Sequence, residues 1–163
     1  MAKVVKGMLQ ISGDLDEYLK SIEVIPDNIQ DEMLKAMSDV IVDGTKKMAT
    51  EMLTADGGFG ASGRYTDVKR GVISSIKMGR IKKNNKTGMR YTDVIFKGRQ
   101  HGERLAAIAF MNEYGVVHKP SPYYNRYYVQ PPRPFVSRAL LYYGDRALKA
   151  AENVLFKKFF KSN

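Results

Sequence analysis

A chain of 163 residues, 44% hydrophobic and 27% charged, has room for one core that takes roughly 68–70% of the unfolded surface out of water, which excludes wholesale disorder and collagen-like repeats. It contains no cysteine, so disulfide scaffolds, thiolate nucleophiles and Cys-based zinc sites are excluded. The formal net charge of +10 is unevenly spread: residues 1–63 carry 6 Lys/Arg against 11 Asp/Glu, residues 64–104 carry 12 against 3, and residues 105–163 carry 9 against 3.

An acidic first third beside a basic remainder suits either a face presented to nucleic acid or copies of one chain docking through opposite charges. No apolar run approaches the roughly 20 residues of a membrane span, and no signal-type stretch follows Met1–Lys6. A protein made in the cytoplasm and free of membrane is expected.

In chain order, Val4–Ile11 reads as a short edge strand ended by Ser12-Gly13. Asp14 is placed to cap a short helix through Leu15, Tyr18, Leu19 and Ile22, which Pro26 ends. From Asp27 to about Leu53, the apolar residues Ile29, Met33, Met37, Val40, Ile41, Met48 and Met52 predict a long amphipathic helix. Asp27, Asp31 and Glu32 suit the positive end of its dipole, and Gly44 marks a close packing contact.

Residues 54–66 hold Gly57, Gly58, Gly60 and Gly63 and read as a mobile loop; no GK[ST] follows, so a phosphate-binding loop is not expected. A short helix is predicted over Asp67–Lys77, then strands over Met78–Lys83 and Met89–Lys97 joined by Asn84–Gly88, a basic β-hairpin. Glu103–Tyr114 reads as a helix with Leu105, Ala106, Ala109, Phe110 and Tyr114 on its apolar side, ended by Gly115 in the left-handed conformation. An aromatic loop or irregular hairpin, also expected to be mobile, fills 116–130. Pro131, Pro132 and Pro134 then lead into a final helix. Phe135, Ala139, Tyr143, Ala147, Ala151, Leu155 and Phe159 recur there every fourth residue and should pack on the long helix. No repeat or linker divides the chain, so 1–163 is one domain.

Candidate chemistry is sparse. Two histidines, His101 and His118, are too few for a His-based metal site, and no serine lies in a G-x-S-x-G setting. No enzyme, metal or cofactor is expected. Arg64, Lys69, Arg70, Arg80, Lys82, Lys83, Lys86 and Arg90 are candidate intersubunit or DNA-facing cations. Tyr123, Tyr124, Tyr127 and Tyr128 around Arg126 suit base stacking or, more often, a protein interface. Asp27, Asp31, Glu32, Asp39 and Asp43 form a candidate acidic docking face. Glu113 and Arg133 are expected to pair and clamp the aromatic loop.

Two short segments carry a resemblance. Glu113-Tyr114-Gly115 closes one helix, and Gln130-Pro131-Pro132-Arg133-Pro134-Phe135 opens the next. At this separation they resemble the tail-completion or head-to-tail joining (neck) family of long-tailed double-stranded DNA phages, with its E-[YF]-G and Q-P-x-R-P-F motifs. The order of elements is similar too, and Ser75-Ile76 matches the family's S-I pair; Ser62-Gly63-Arg64-Tyr65 stands where members usually carry S-G-x-L. The resemblance implies a structural virion protein of the neck or upper tail. It implies a ring, sixfold as a first guess, around the DNA passage, touching head-closure or tail-tube subunits and transiently the genomic DNA. The fold expected is α+β: an antiparallel sheet, including the basic hairpin, packed by the long and C-terminal helices. The alternative function is a basic nucleic-acid-binding protein that contacts phosphates through 64–104.

Overall fold

The structure, a computed structural model, describes residues 3–5, 8–10, 25–53, 68–120 and 126–160. The expected helix near Asp14, the Gly-rich segment 54–66 with Arg64, and Tyr123 and Tyr124 lie outside the described residues. Among those described, helix α1 spans Asp27–Met52, α2 Val68–Ser75, α3 Leu105–Tyr114 and α4 Phe135–Phe160. Ten short strands, β1 Lys3–Val5, β2 Met8–Gln10, β3 Ile76–Met78, β4 Lys82–Lys83, β5 Arg90–Tyr91, β6 Val94–Phe96, β7 Arg99–Gln100, β8 Glu103–Arg104, β9 Val116–His118 and β10 Tyr128–Gln130, pair two by two. All five ladders are antiparallel, so the protein is α+β. The single sheet of the sequence reading is instead five separate two-stranded pieces. The one strand expected over 4–11 is two, with Val5 opposite Met8.

The basic hairpin forms where expected, but in two stretches. β3 pairs with β6 and β4 with β5, and between them Gly79, Arg80 and Ile81 face only Thr92 and Asp93. That one extra residue is a bulge, closed by Gly79 N–H donating to the Asp93 carbonyl at 2.7 Å. At the tip, Asn84 Oδ1 accepts the Lys86 N–H at 2.9 Å, and Gly88 takes φ +73°. Asparagine closes the turn with its own side chain, and glycine meets the positive φ without strain. The preceding helix stops at Ser75, two residues sooner than read: Lys97 N–H donates to the Ser75 carbonyl at 2.9 Å, and Ile76 and Lys77 join the ladder instead.

α1 and α4 lie antiparallel and make the most extensive contact in the molecule. Near one end Lys158 meets Glu32; toward the other Gly44 meets Tyr143. The apolar residues read as the core stripe of α1 are mostly half-buried, whereas Met33, Ser38, Val42, Gly44, Thr45 and Ala49 are buried. The reason is closeness. A Cβ on Gly44 would sit 2.6 Å from the Tyr143 ring, and α4 opposes α1 with the buried Ala139, Ala147 and Ala151, so small side chains occupy the line of nearest approach. Thr45 satisfies its buried hydroxyl by donating to the Ile41 carbonyl at 2.7 Å.

The main core lies where the C-terminal half of α1 meets α2, β3, α3 and the start of α4. Ala49, Leu53, Val72, Ile76, Leu105, Ile108, Ala109 and Phe135 are buried together. Phe135 is fully buried, edge-on to Phe96 with ring centroids 6.0 Å apart, as its place at the base of the last helix suggests. α3 is rotated from the predicted orientation. It buries Leu105, Ile108, Ala109, Asn112 and Glu113 and leaves Ala106, Phe110 and Tyr114 exposed. Its buried face ends in two polar side chains because those side chains have partners on α4 and the segment leading into it.

Candidate functional site

The last turn of α3 holds the segment 130–137 in place. Asn112 donates from Nδ2 to its own helix at the Ile108 carbonyl, 2.9 Å away. This orients Oδ1 outward, where it accepts from Gln130 Nε2 at 3.2 Å and Arg133 Nη1 at 3.1 Å. The Asn112 carbonyl accepts the Arg133 N–H at 2.6 Å. One buried asparagine therefore fixes both ends of the Gln130–Arg133 segment.

Glu113 does something different from the expected clamp. Its Oε2 accepts the Val136 N–H at 2.8 Å, and its Oε1 accepts the Ser137 N–H at 2.9 Å and the Ser137 hydroxyl at 2.5 Å. These are first-turn amides of α4, which a helix cannot pair by itself. α4 has no acidic residue in its own first turn, so α3 supplies the carboxylate that complements the positive end of the dipole. Arg133 goes to Asn112 instead of Glu113. The predicted ion pair is replaced because two amides and a hydroxyl converge on both carboxylate oxygens.

Gly115 closes α3 with φ +75° and ψ 170°, a conformation open to glycine alone and not the left-handed helical one anticipated. A Cβ there would lie 2.7 Å from the Gln130 carbonyl oxygen and 3.0 Å from the Pro132 nitrogen. The backbone leaving α3 and the backbone returning to α4 thus pass in contact. Pro134 stands just before α4, and its carbonyl accepts the Arg138 N–H at 3.0 Å. Of the motif residues, Glu113, Gly115, Gln130, Arg133, Pro134 and Phe135 meet in this junction; Tyr114 and Pro131 are exposed. Asn112, directly before Glu113, and Ser137, two residues after Phe135, are not singled out by the sequence reading.

The segment 116–130 is a hairpin at its base. β9 and β10 pair Val116 with Gln130, Val117 with Val129 and His118 with Tyr128. Gln130 is buried and Val116 half-buried, so alternation turns Val117 and Val129 outward.

The acidic and basic candidates partly neutralise each other within one chain. Arg90 donates to both oxygens of Asp31 at 2.5 and 2.6 Å and to Asp27 at 2.9 Å; Lys83 lies 3.8 Å from Asp27. The hydrogen bonding that Asp31 accepts is the largest of the influences that raise the Arg90 pKa, assisted by the charges of Asp31 and Asp27 against a lowering from desolvation. Lys158 pairs with Glu32 at 3.0 Å, and Lys82 with Asp93 at 3.6 Å. Asp39 and Asp43 are exposed and have no ion pair with a described residue, and the same holds for Arg70, Arg80 and Lys86. Lys69 donates to the Thr50 carbonyl at 2.8 Å. Lys46, Lys69, Arg70, Ile73 and Ser74 line an open cleft of about 520 Å³ between α1 and α2.

Among the described residues no three His, Asp or Glu side chains gather as metal ligands, and no helix is long and apolar enough to cross a membrane. No family model matches the chain, and neither curated proteins nor solved structures give a significant match.

Proposed function

We propose that this chain is a structural subunit of the neck or upper tail of a long-tailed double-stranded DNA phage. It assembles with copies of itself into a ring around the DNA passage, sixfold as a first expectation, and abuts head-closure or tail-tube subunits. The reading assigns it no turnover chemistry and places it in the virion. One observation supports it above the others: the two short segments that carry the likeness to the joining family interlock, Glu113 capping α4 and Gly115 packed on the Gln130 carbonyl. A motif whose parts need one another is a unit of architecture, as expected of a structural subunit. Deleting this reading frame from the phage genome that encodes it should yield filled heads and unattached or malformed tails. Normally joined, infectious particles would contradict the reading.

A second reading has its own support. The cleft lined by Lys46, Lys69 and Arg70, with the exposed Arg80 and Lys86 elsewhere in the basic segment, suits contact with nucleic-acid phosphates. On that reading duplex affinity falls by about 0.9 log units per log unit of salt for each phosphate neutralised. Absence of binding at low salt would eliminate it.

A further inference from the structure

Cations that reach the N-terminal end of α1 find carboxylates there: Arg90 meets Asp27 and Asp31, Lys83 meets Asp27, and Lys158 meets Glu32. The cleft between the C-terminal half of α1 and α2 is arranged differently. Lys46 is half-buried beside it, and its ammonium has no ion pair or hydrogen bond with a described residue. Lys69 crosses from α2 to donate to the Thr50 carbonyl at 2.8 Å, so a second cation is held over α1 one turn beyond Lys46. Arg70 follows on α2, exposed and likewise without an ion pair to a described residue. Among the described residues no carboxylate lines this cleft. Asp43, one turn before Lys46 on α1, is exposed outside the lining and forms no ion pair with a described residue.

Like charges gathered around one cavity repel one another, and the half-burial of Lys46 removes part of the water that screens them. A multiply charged anion relieves both costs. The cleft, at about 520 Å³, has the size of a small-molecule site and far more room than a bare anion fills. Its wall also offers apolar surface, from Ile73 and from the aliphatic stems of the two lysines, on which an organic group can rest. Ser74 donates its hydroxyl to the Gly71 carbonyl at 3.0 Å, which leaves recognition of the anion to the cations. A phosphate joined to an organic group meets every one of these features.

We infer that the α1–α2 cleft is a seat for a phosphate ester, its phosphate held among Lys46, Lys69 and Arg70 and its organic part against Ile73. This rests on the second reading, in which cations of the basic segment meet phosphates, and narrows it to one seat. The seat includes Lys46, which lies in the acidic first third of the chain and outside the 64–104 stretch that charge arithmetic selects. Two sources carry this chemistry, a free nucleotide and a strand of nucleic acid, and the test separates them.

Binding of AMP, inorganic phosphate and a short labelled single-stranded oligonucleotide to the full chain at low salt tests it. Lys46→Gln with Arg70→Gln should lower the affinity for AMP and for the oligonucleotide at least tenfold. Arg80→Gln with Lys86→Gln, which removes the same charge from exposed positions outside the cleft, should lower it less than threefold. AMP should bind at least tenfold more tightly than inorganic phosphate, which brings a similar charge without an organic part. An oligonucleotide that binds more tightly than AMP assigns the seat to a strand, and the reverse order assigns it to a free nucleotide; both orders support the inference. Circular dichroism establishes that each variant folds. Amide NMR of the unaltered chain needs no variant: AMP should shift the resonances of Lys46, Lys69, Arg70, Ile73 and Ser74. Equal losses in the two variant pairs, phosphate binding as well as AMP, or shifts confined to the hairpin would each overturn the inference. Equal losses would leave the second reading standing, since binding would persist without a seat, whereas no binding of any probe at low salt would overturn both.

Discussion

Glu113 and Gly115 concentrate the consequences of single side chains. Replacing Glu113 with alanine leaves two amides and a hydroxyl without their acceptor, so a loss of about 2–3 kcal/mol in urea unfolding is expected, and Glu113→Gln should lose about half as much. A cycle of Glu113→Ala with Ser137→Ala should show a coupling of about 1 kcal/mol. Strict additivity would mean that the carboxylate does not act through Ser137. Gly115→Ala meets both a forbidden conformation and the Gln130 carbonyl, and an unfolding loss of about 3 kcal/mol is expected. From the sequence, the Glu-Tyr-Gly and proline-rich segments were visible as special, and the turning role of Gly115 was anticipated. The partner of Glu113 was not, because a carboxylate can satisfy a guanidinium or a helix start equally well, and only the placement of α4 decides.

Between elements, small residues govern the principal contact. α1 and α4 contain a matched pair of glycines with opposite surroundings: Gly44 faces the Tyr143 ring at contact distance, and Gly144 has open space where a Cβ would go. Both lie inside helices, where alanine is intrinsically favoured by roughly 1 kcal/mol. Gly144→Ala should therefore stabilise the protein by about 0.5–1 kcal/mol, and Gly44→Ala should destabilise it by about 1–2 kcal/mol through overpacking. Thermal denaturation of the two variants reads the signs directly.

The hairpin is tied to α1 by Arg90. Its pKa is raised on folding by the carboxylates of Asp31 and Asp27, so on the alkaline side its stabilising contribution is lost only as pH rises through that raised value. Arg90→Met should lower the urea midpoint, speed hydrogen exchange in the hairpin and weaken the response of stability to salt. α1, α4, the hairpin and its Asn84 turn were legible because periodicity and turn chemistry are local. The buried face of α3 was not legible, because Phe110 and Tyr114 look like core residues until Asn112 and Glu113 find partners that rotate the helix the other way.

Across the whole molecule, opposite charges separated along the chain meet in part within the fold. The excess remaining after Arg90, Lys82, Lys83 and Lys158 find carboxylates is spread over exposed cations such as Arg70, Arg80 and Lys86, and exposed apolar side chains lie on the hairpin, α3, the β9–β10 arm and the outer side of α4. Charge arithmetic along the sequence could not distinguish pairing within a subunit from pairing between subunits, since both place the same residue types together; the structure pairs Asp27, Asp31 and Glu32 within one chain and leaves Asp39 and Asp43 without an ion pair to a described residue. The most direct test of the proposed neck function is electron cryomicroscopy of intact particles of the phage that, on this proposal, carries the chain. The account predicts a ring at the head–tail junction into which several copies fit. A particle in which this polypeptide occupies no position at the neck or upper tail would contradict it.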